Sequence, residues 1–209
     1  KEGDLLFEID PRPFENALRA AEADLQKAKV QLETARTQVA RILAEAKAAA
    51  NATLERAFAL DPRNALPLIH SQARLTDGVL LLAYEAAEAL HPLQVRTDSE
   101  RLCVLAVGGF GRSEMAPQSD VDLLFLYPWK ITPRAESVIE SLLYVLWDLR
   151  LKVGHASRTI RDCLRLARED YTIRTSLVEM RSLLGDQELF QQLQTQLREK
   201  LFKHTAAEF

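Results

Sequence analysis

The stretch Val107-Gly108-Gly109-Phe110-Gly111-Arg112-Ser113-Glu114-Met115-Ala116-Pro117-Gln118-Ser119-Asp120-Val121-Asp122-Leu123-Leu124-Phe125-Leu126 decides how this chain is read. Before it, Leu102 to Val107 is an unbroken apolar run, the pattern of a buried strand, and it ends at a glycine pair. A second strand is expected from Asp120 to Tyr127, stopped by Pro128. Residues two apart on a strand project from one face. Asp120 and Asp122 therefore share a face, while Val121 and Leu123 turn into the core. Paired carboxylates of this kind hold divalent metal for phosphoryl and nucleotidyl transfer, where charge on phosphorus must be neutralised. Magnesium, a hard cation, takes oxygen ligands from such a pair, from phosphates and from water.

The neighbours fit the same chemistry. Gly108 and Gly109 lack side chains, so backbone N–H groups can approach phosphate oxygens. Arg112 offers a forked cation for a triphosphate. Ser119 caps the turn or bonds a phosphate oxygen, and Glu114 pairs with Arg112 or another cation. Singly, each piece has a plainer reading: G-G-x-G is usually a turn, D-x-D a solvated turn or cap, and an arginine a surface charge. The order of strand, glycine pair, basic residue and S-D-x-D opening a second strand is what points to nucleotidyl transfer.

Bulk properties bound the partners. The 209 residues allow one core plus an appendage. With 47% hydrophobic and 27% charged residues the composition is that of a globular chain. A net charge of -3 gives no broad attraction to a polyanion, so nucleic acid is not the expected partner. Cys103 and Cys163 have no metal-ligand spacing and read as buried structural thiols. No run approaches the ~20 apolar residues of a membrane span. His155 reads as a structural histidine, and Tyr127, Trp129 and Trp147 as core or surface aromatics.

Two unlike parts are visible along the chain. Asp4 to Asp10 has a short strand pattern closed by Pro11 and Pro13. From Phe14 through Leu18, Ala21, Leu25, Ala28, Leu32, Ala35, Val39, Ile42 and Ala46, apolar or small residues recur in steps of four and three, a heptad seam that calls for a second helix. Ala44 to Phe58 is alanine-rich and helical, Asp61-Pro62 breaks it, and Leu66 to Leu90 is a helix with Leu75, Val79, Leu82 and Ala86 inward. Beyond the two strands, a helix is expected at Arg134 to Arg150 with Val138, Leu142, Leu143, Leu146 and Leu149 inward, then a third strand at Leu151 to Ser157. The remainder reads as helical, with Thr159 capping one helix and Asp186 another that runs to about Lys203. The sum is an α+β fold, a small sheet flanked by helices behind a long amino-terminal helix.

Two resemblances follow from these residues. Residues 1–14 and the heptad helix, to about residue 43, resemble the periplasmic adaptor (membrane fusion) subunits of efflux pumps. That implies half a lipoyl-like unit and one arm of a coiled-coil hairpin. Residues from about 48 to 209 resemble the amino-terminal nucleotidyltransferase domain of bacterial PII uridylyltransferase/uridylyl-removing enzymes. The resemblance rests on Gly108-Gly109-Phe110-Gly111-Arg112-Ser113-Glu114-Met115, Pro117 and Ser119 to Leu124. It is extended by Leu146-Trp147-Asp148, Val153-Gly154-His155, Arg158-Thr159, Thr175 to Arg181 and Leu184-Gly185-Asp186. Ser113 stands where glycine is usual.

The second resemblance implies a polymerase β-like fold for a domain 44–209, truncated at its carboxy end, while the first sets 1–43 apart as a partial adaptor-like domain. It implies transfer of UMP from UTP to a tyrosine of the PII protein in the cytoplasm, with Mg2+ on Asp120 and Asp122 and the nucleotide on Gly108, Gly109, Arg112 and Ser119. Such folds add a third carboxylate, for which Glu179 is the acidic candidate; its plainer role is pairing with Arg174 or Arg181. Uridylyl removal belongs to a downstream HD-type domain whose His-Asp motif does not occur in this sequence. The alternatives are an adenylyltransferase of the glutamine-synthetase-modifying type and, from another class, the adaptor fragment.

Overall fold

The computed structural model describes residues 10–93, 95 and 97–202. The strand expected at Asp4 to Asp10 falls, but for Asp10, outside them. The chain divides into two units, at Gln38 and Val39, each described by itself. In the first, helix α1 (Arg12–Leu60) begins after an Asp10 carboxylate that accepts from the Arg12 backbone and guanidinium. Along its heptad face Leu18 is 60%, Leu25 56% and Leu32 38% exposed. No break falls where the pattern changes after Ile42, because Ala44 to Phe58 contains no residue that opposes helix.

The second unit is built on a four-stranded sheet ordered β3-β2-β1-β4, where β1 is Cys103–Ala106, β2 Val121–Tyr127, β3 Val153–Thr159 and β4 Arg181–Gly185. β1 is antiparallel to β2 and β4, and β2 is parallel to β3. The parallel pair is joined by helix α4 (Pro133–Asp148), as a parallel connection requires a crossover.

Alternation along the strands divides the core in two. Val104, Ala106, Val121, Leu123 and Phe125 face helix α2 (Leu66–Leu90), α4 and the end of α1. Cys103, Leu105, Leu124 and Leu126 face α5 (Ile160–Glu169), α6 (Tyr171–Val178) and α7 (Gln187–Leu197). Burying both faces explains why β1 and β2 read as continuous apolar runs.

Several elements are where the sequence puts them. Thr159 and Asp162 form a reciprocal capping box on α5, and Asp186 caps α7 while pairing with Arg101 at 2.7 Å. The residues expected inward from Val138 to Leu149 are buried. The remainder after β3 is not all helical, however. Arg181–Gly185 is a fourth strand, too short to show a period, and its identity comes from pairing with β1. The inward face of α2 agrees only in part with the expected one: Val79 is buried and Leu75 and Ala86 are half-buried, but Leu82 is 53% exposed, and Ala73, Leu80, Ala83 and Ala87 are buried, since alanines let α4 approach closely. Among the described residues no helix is long and apolar enough to cross a membrane.

Candidate active site

Beyond β1 the chain turns at Val107 into a one-turn helix, α3 (Gly108–Gly111), rather than the open turn expected of a glycine pair. Gly108 has φ +59, in the left-handed region that side chains disfavour. The Val107 N–H donates to the Asp122 carbonyl at 3.1 Å, fixing this bend against β2. Gly111 is required by packing, for a Cβ there would strike the Glu179 carbonyl. Ser113, where glycine was expected, has φ +62 just past the helix, which is the physical reason glycine suits that place.

Asp122 is the second residue of β2 and pairs in register with Gly154 of β3. Its side chain points to the α5–α7 side with Leu124 and Leu126. Its two oxygens face two bare backbone positions. A Cβ on Gly108 would lie 3.4 Å from Oδ2, and one on Gly154 2.5 Å from Oδ1. Burial, and then the negative charge of Asp120, push the Asp122 carboxyl above its ordinary value. Asp120 itself is exposed and lies just before the strand begins. Neither aspartate makes an ion pair or a side-chain hydrogen bond among the described residues. Two coupled carboxylates without a compensating cation, one flanked by glycines, suit a hard divalent ion with room for phosphate and water.

Asp122 opens into a cleft of about 260 Å³. Its walls are Val107 and Gly108, the β2–β3 surface at Gly154, Ala156 and Arg158, and Thr172, Ile173, Ser176 and Leu177 of α6. The α6 wall is positioned by Asp170, whose carboxylate caps it through Thr172 N at 2.7 Å.

Of the residues singled out in the sequence, Gly108 and Asp122 line this cleft, and Asp120 acts on it through its charge. Gly109, Arg112, Ser119 and Glu179 do not line it. Arg112 is held between Glu114, at 3.0 Å, and Glu179, at 2.7 Å. The expected pairing of Glu179 with Arg174 or Arg181 is thus replaced by one with Arg112. Arg174 donates to the Ala167 carbonyl, and Arg181 makes a two-point bond to Asp77. Among the described residues no group of three or more His, Cys, Asp or Glu side chains is placed to hold a metal. His155 faces away from Asp122 and packs edge-on against Phe125 with ring centres 6.4 Å apart.

Gly154 and Arg158 received no role from the sequence beyond the resemblance. The available signal was the glycine inside a strand, which marks a close approach, together with the period-two alignment of 154, 156 and 158.

No family model matches the chain. Over 177 residues it is 59% identical to the bifunctional uridylyltransferase/uridylyl-removing enzyme of Cereibacter sphaeroides, covering 84% of this chain and 19% of that protein. The protein of the same name from Ruegeria pomeroyi is 55% identical over 175 residues, 83% of this chain and 19% of its own length. That from Erythrobacter litoralis is 42% identical over 202 residues, 96% of this chain and 21% of its own length. A match of 96% necessarily takes in most of residues 1–43. The chain is therefore a homologous segment of the bifunctional uridylyltransferase/uridylyl-removing enzymes and spans about a fifth of the length of these relatives.

Proposed function

We propose that this chain carries the nucleotidyl-transferring site of such an enzyme, moving UMP from UTP to a tyrosine hydroxyl of the PII protein. The tyrosine hydroxyl gives up its proton to water as its oxygen bonds to the α-phosphorus, the bond from that phosphorus to the bridging oxygen breaks, and pyrophosphate leaves. Asp120 and Asp122 would hold Mg2+, which when bound neutralises charge on the phosphates. Gly108 would give the phosphates access to bare backbone, while a nucleotide-holding part for Gly109, Arg112 and Ser119, which do not line the cleft, rests on the sequence pattern. The observation that supports this most is the Asp122 carboxylate, raised in pKa by burial and by Asp120 and set between Gly108 and Gly154 at the head of a cleft. Perturbed carboxylates in clefts are where catalytic groups concentrate.

The test is nucleotide-dependent thermal stabilisation, followed by incorporation of labelled UMP into PII protein. UTP with Mg2+ should raise the melting temperature more than UTP alone, and Asp120→Asn with Asp122→Asn should abolish both that increment and the transfer. Stabilisation by ATP in preference to UTP would instead favour adenylyl transfer. Retained transfer in the double variant would sink the metal assignment.

A further inference from the structure

We infer that Arg158 binds the phosphate tail of the nucleotide, the part released as pyrophosphate; this rests on the nucleotidyl-transfer reading above. The parallel register sets Asp122 beside Gly154, Leu124 beside Ala156 and Leu126 beside Arg158. Arg158 therefore shares the sheet face of Asp122, four residues along β3 from Gly154. At ~3.3 Å per residue that is about 13 Å of strand. The same cleft is lined by Asp122 at one end and Arg158 at the other. Between them β3 presents only Gly154 and Ala156, so the floor stays open to an extended ligand.

The charge arrangement singles out Arg158 among nearby arginines. Arg112 is neutralised by Glu114 and Glu179. Arg174 is committed to the Ala167 carbonyl and lies over the Tyr171 ring. Arg158 is half-buried as a residue, and its side chain makes no hydrogen bond or ion pair among the described residues. The carboxylate nearest in sequence, Asp162, is occupied by the Thr159 hydroxyl at 2.7 Å and faces Arg165 at 3.7 Å. A cation with no ion-pair partner among the described residues, at the far end of the cleft from the Asp122 carboxylate, matches a ligand that is anionic along its length.

The experiment compares wild type, Arg158→Gln and Arg158→Lys by calorimetric titration with UTP, inorganic pyrophosphate and UMP, all with Mg2+. Arg158→Gln should weaken UTP and pyrophosphate about 10- to 100-fold, the range for losing a charged hydrogen-bonding partner, and leave UMP binding unchanged. Arg158→Lys should recover part of the loss, since it keeps the charge without the fork. In transfer assays the loss should fall mainly on KM. Unchanged pyrophosphate affinity in a folded Arg158→Gln protein overturns the inference while leaving the metal site standing. A wild-type chain that binds neither UTP nor pyrophosphate overturns the nucleotidyl-transfer reading itself.

Discussion

Replacing Gly154 by alanine adds one methyl group and no polar atom, so any loss of function must pass through its neighbour. That Cβ would lie 2.5 Å from Asp122 Oδ1, where ordinary contact begins at 3.4 Å, so the oxygen must retreat by about 0.9 Å. A metal ligand tolerates only ~0.2 Å, and a displacement of ~1 Å at a reacting centre costs roughly 100-fold in rate. The fold should scarcely notice. What moves is the free end of a side chain, and removing a glycine from a strand contributes ~0.5–1 kcal/mol, or about 1–4 °C in melting temperature for a chain of this size. Gly154→Ala should therefore melt at or slightly above the wild-type temperature without metal, yet lose Mg2+-dependent UTP binding and UMP transfer by about 100-fold. Both are read by thermal unfolding with and without MgUTP and by label incorporation. Wild-type binding and transfer in this variant would refute the assignment of Asp122. A large fall in melting temperature would show that the β2–β3 pairing, not the carboxylate, had absorbed the methyl.

Other consequences are independent of catalysis or nearly so. Because burial and the charge of Asp120 hold the folded Asp122 carboxyl above the ordinary aspartate value of 3.8, its contribution to stability is complete below that value and is lost as pH rises through the raised one. Asp122→Asn, which cannot ionise, should raise the metal-free melting temperature at neutral pH, with the difference closing toward roughly pH 3; an equal or lower neutral-pH value counts against the buried, repelled carboxylate. Gly185, at φ +84, ends β4 where a Cβ would strike the Leu102 carbonyl, so Gly185→Ala combines a left-handed alanine with a backbone clash. It should cost about 2–4 kcal/mol, seen as a melting temperature lowered by roughly 5–15 °C, and an unchanged scan would contradict the packing. Burial pushes the Cys103 and Cys163 thiols up to about 12. Neither should react with a thiol reagent near pH ~8 until denaturant is added, and rapid native labelling would show the core to be open.

The strand between Val107 and Leu126 is legible because its apolar run from Val121 to Leu126 is written in the residues themselves, while Asp120 lies one residue before that strand, where a period of two no longer fixes its side chain. Caps were legible for the same local reason, since Thr159 with Asp162 and Asp186 at the head of α7 act within one helical turn. The fourth strand was not, because Arg181–Gly185 becomes a strand only through hydrogen bonds to β1, some eighty residues earlier. The α2 face is legible only in part, at Val79, because hydrophobicity alone does not say that small residues will be chosen where two helices must approach closely.

In the candidate site, local sequence determined the bare turn at Gly108 and the strand that carries Asp122, as these depend on spacing and on the absence of a side chain. Tertiary structure alone decided their company. It tied Arg112 to Glu114 and Glu179, and through the parallel register of β2 and β3 it brought Gly154 alongside Asp122 and set Arg158 beside Leu126 on the same sheet face. The physical reason is that charge pairing and strand register are set by distances across the fold, which no local pattern encodes.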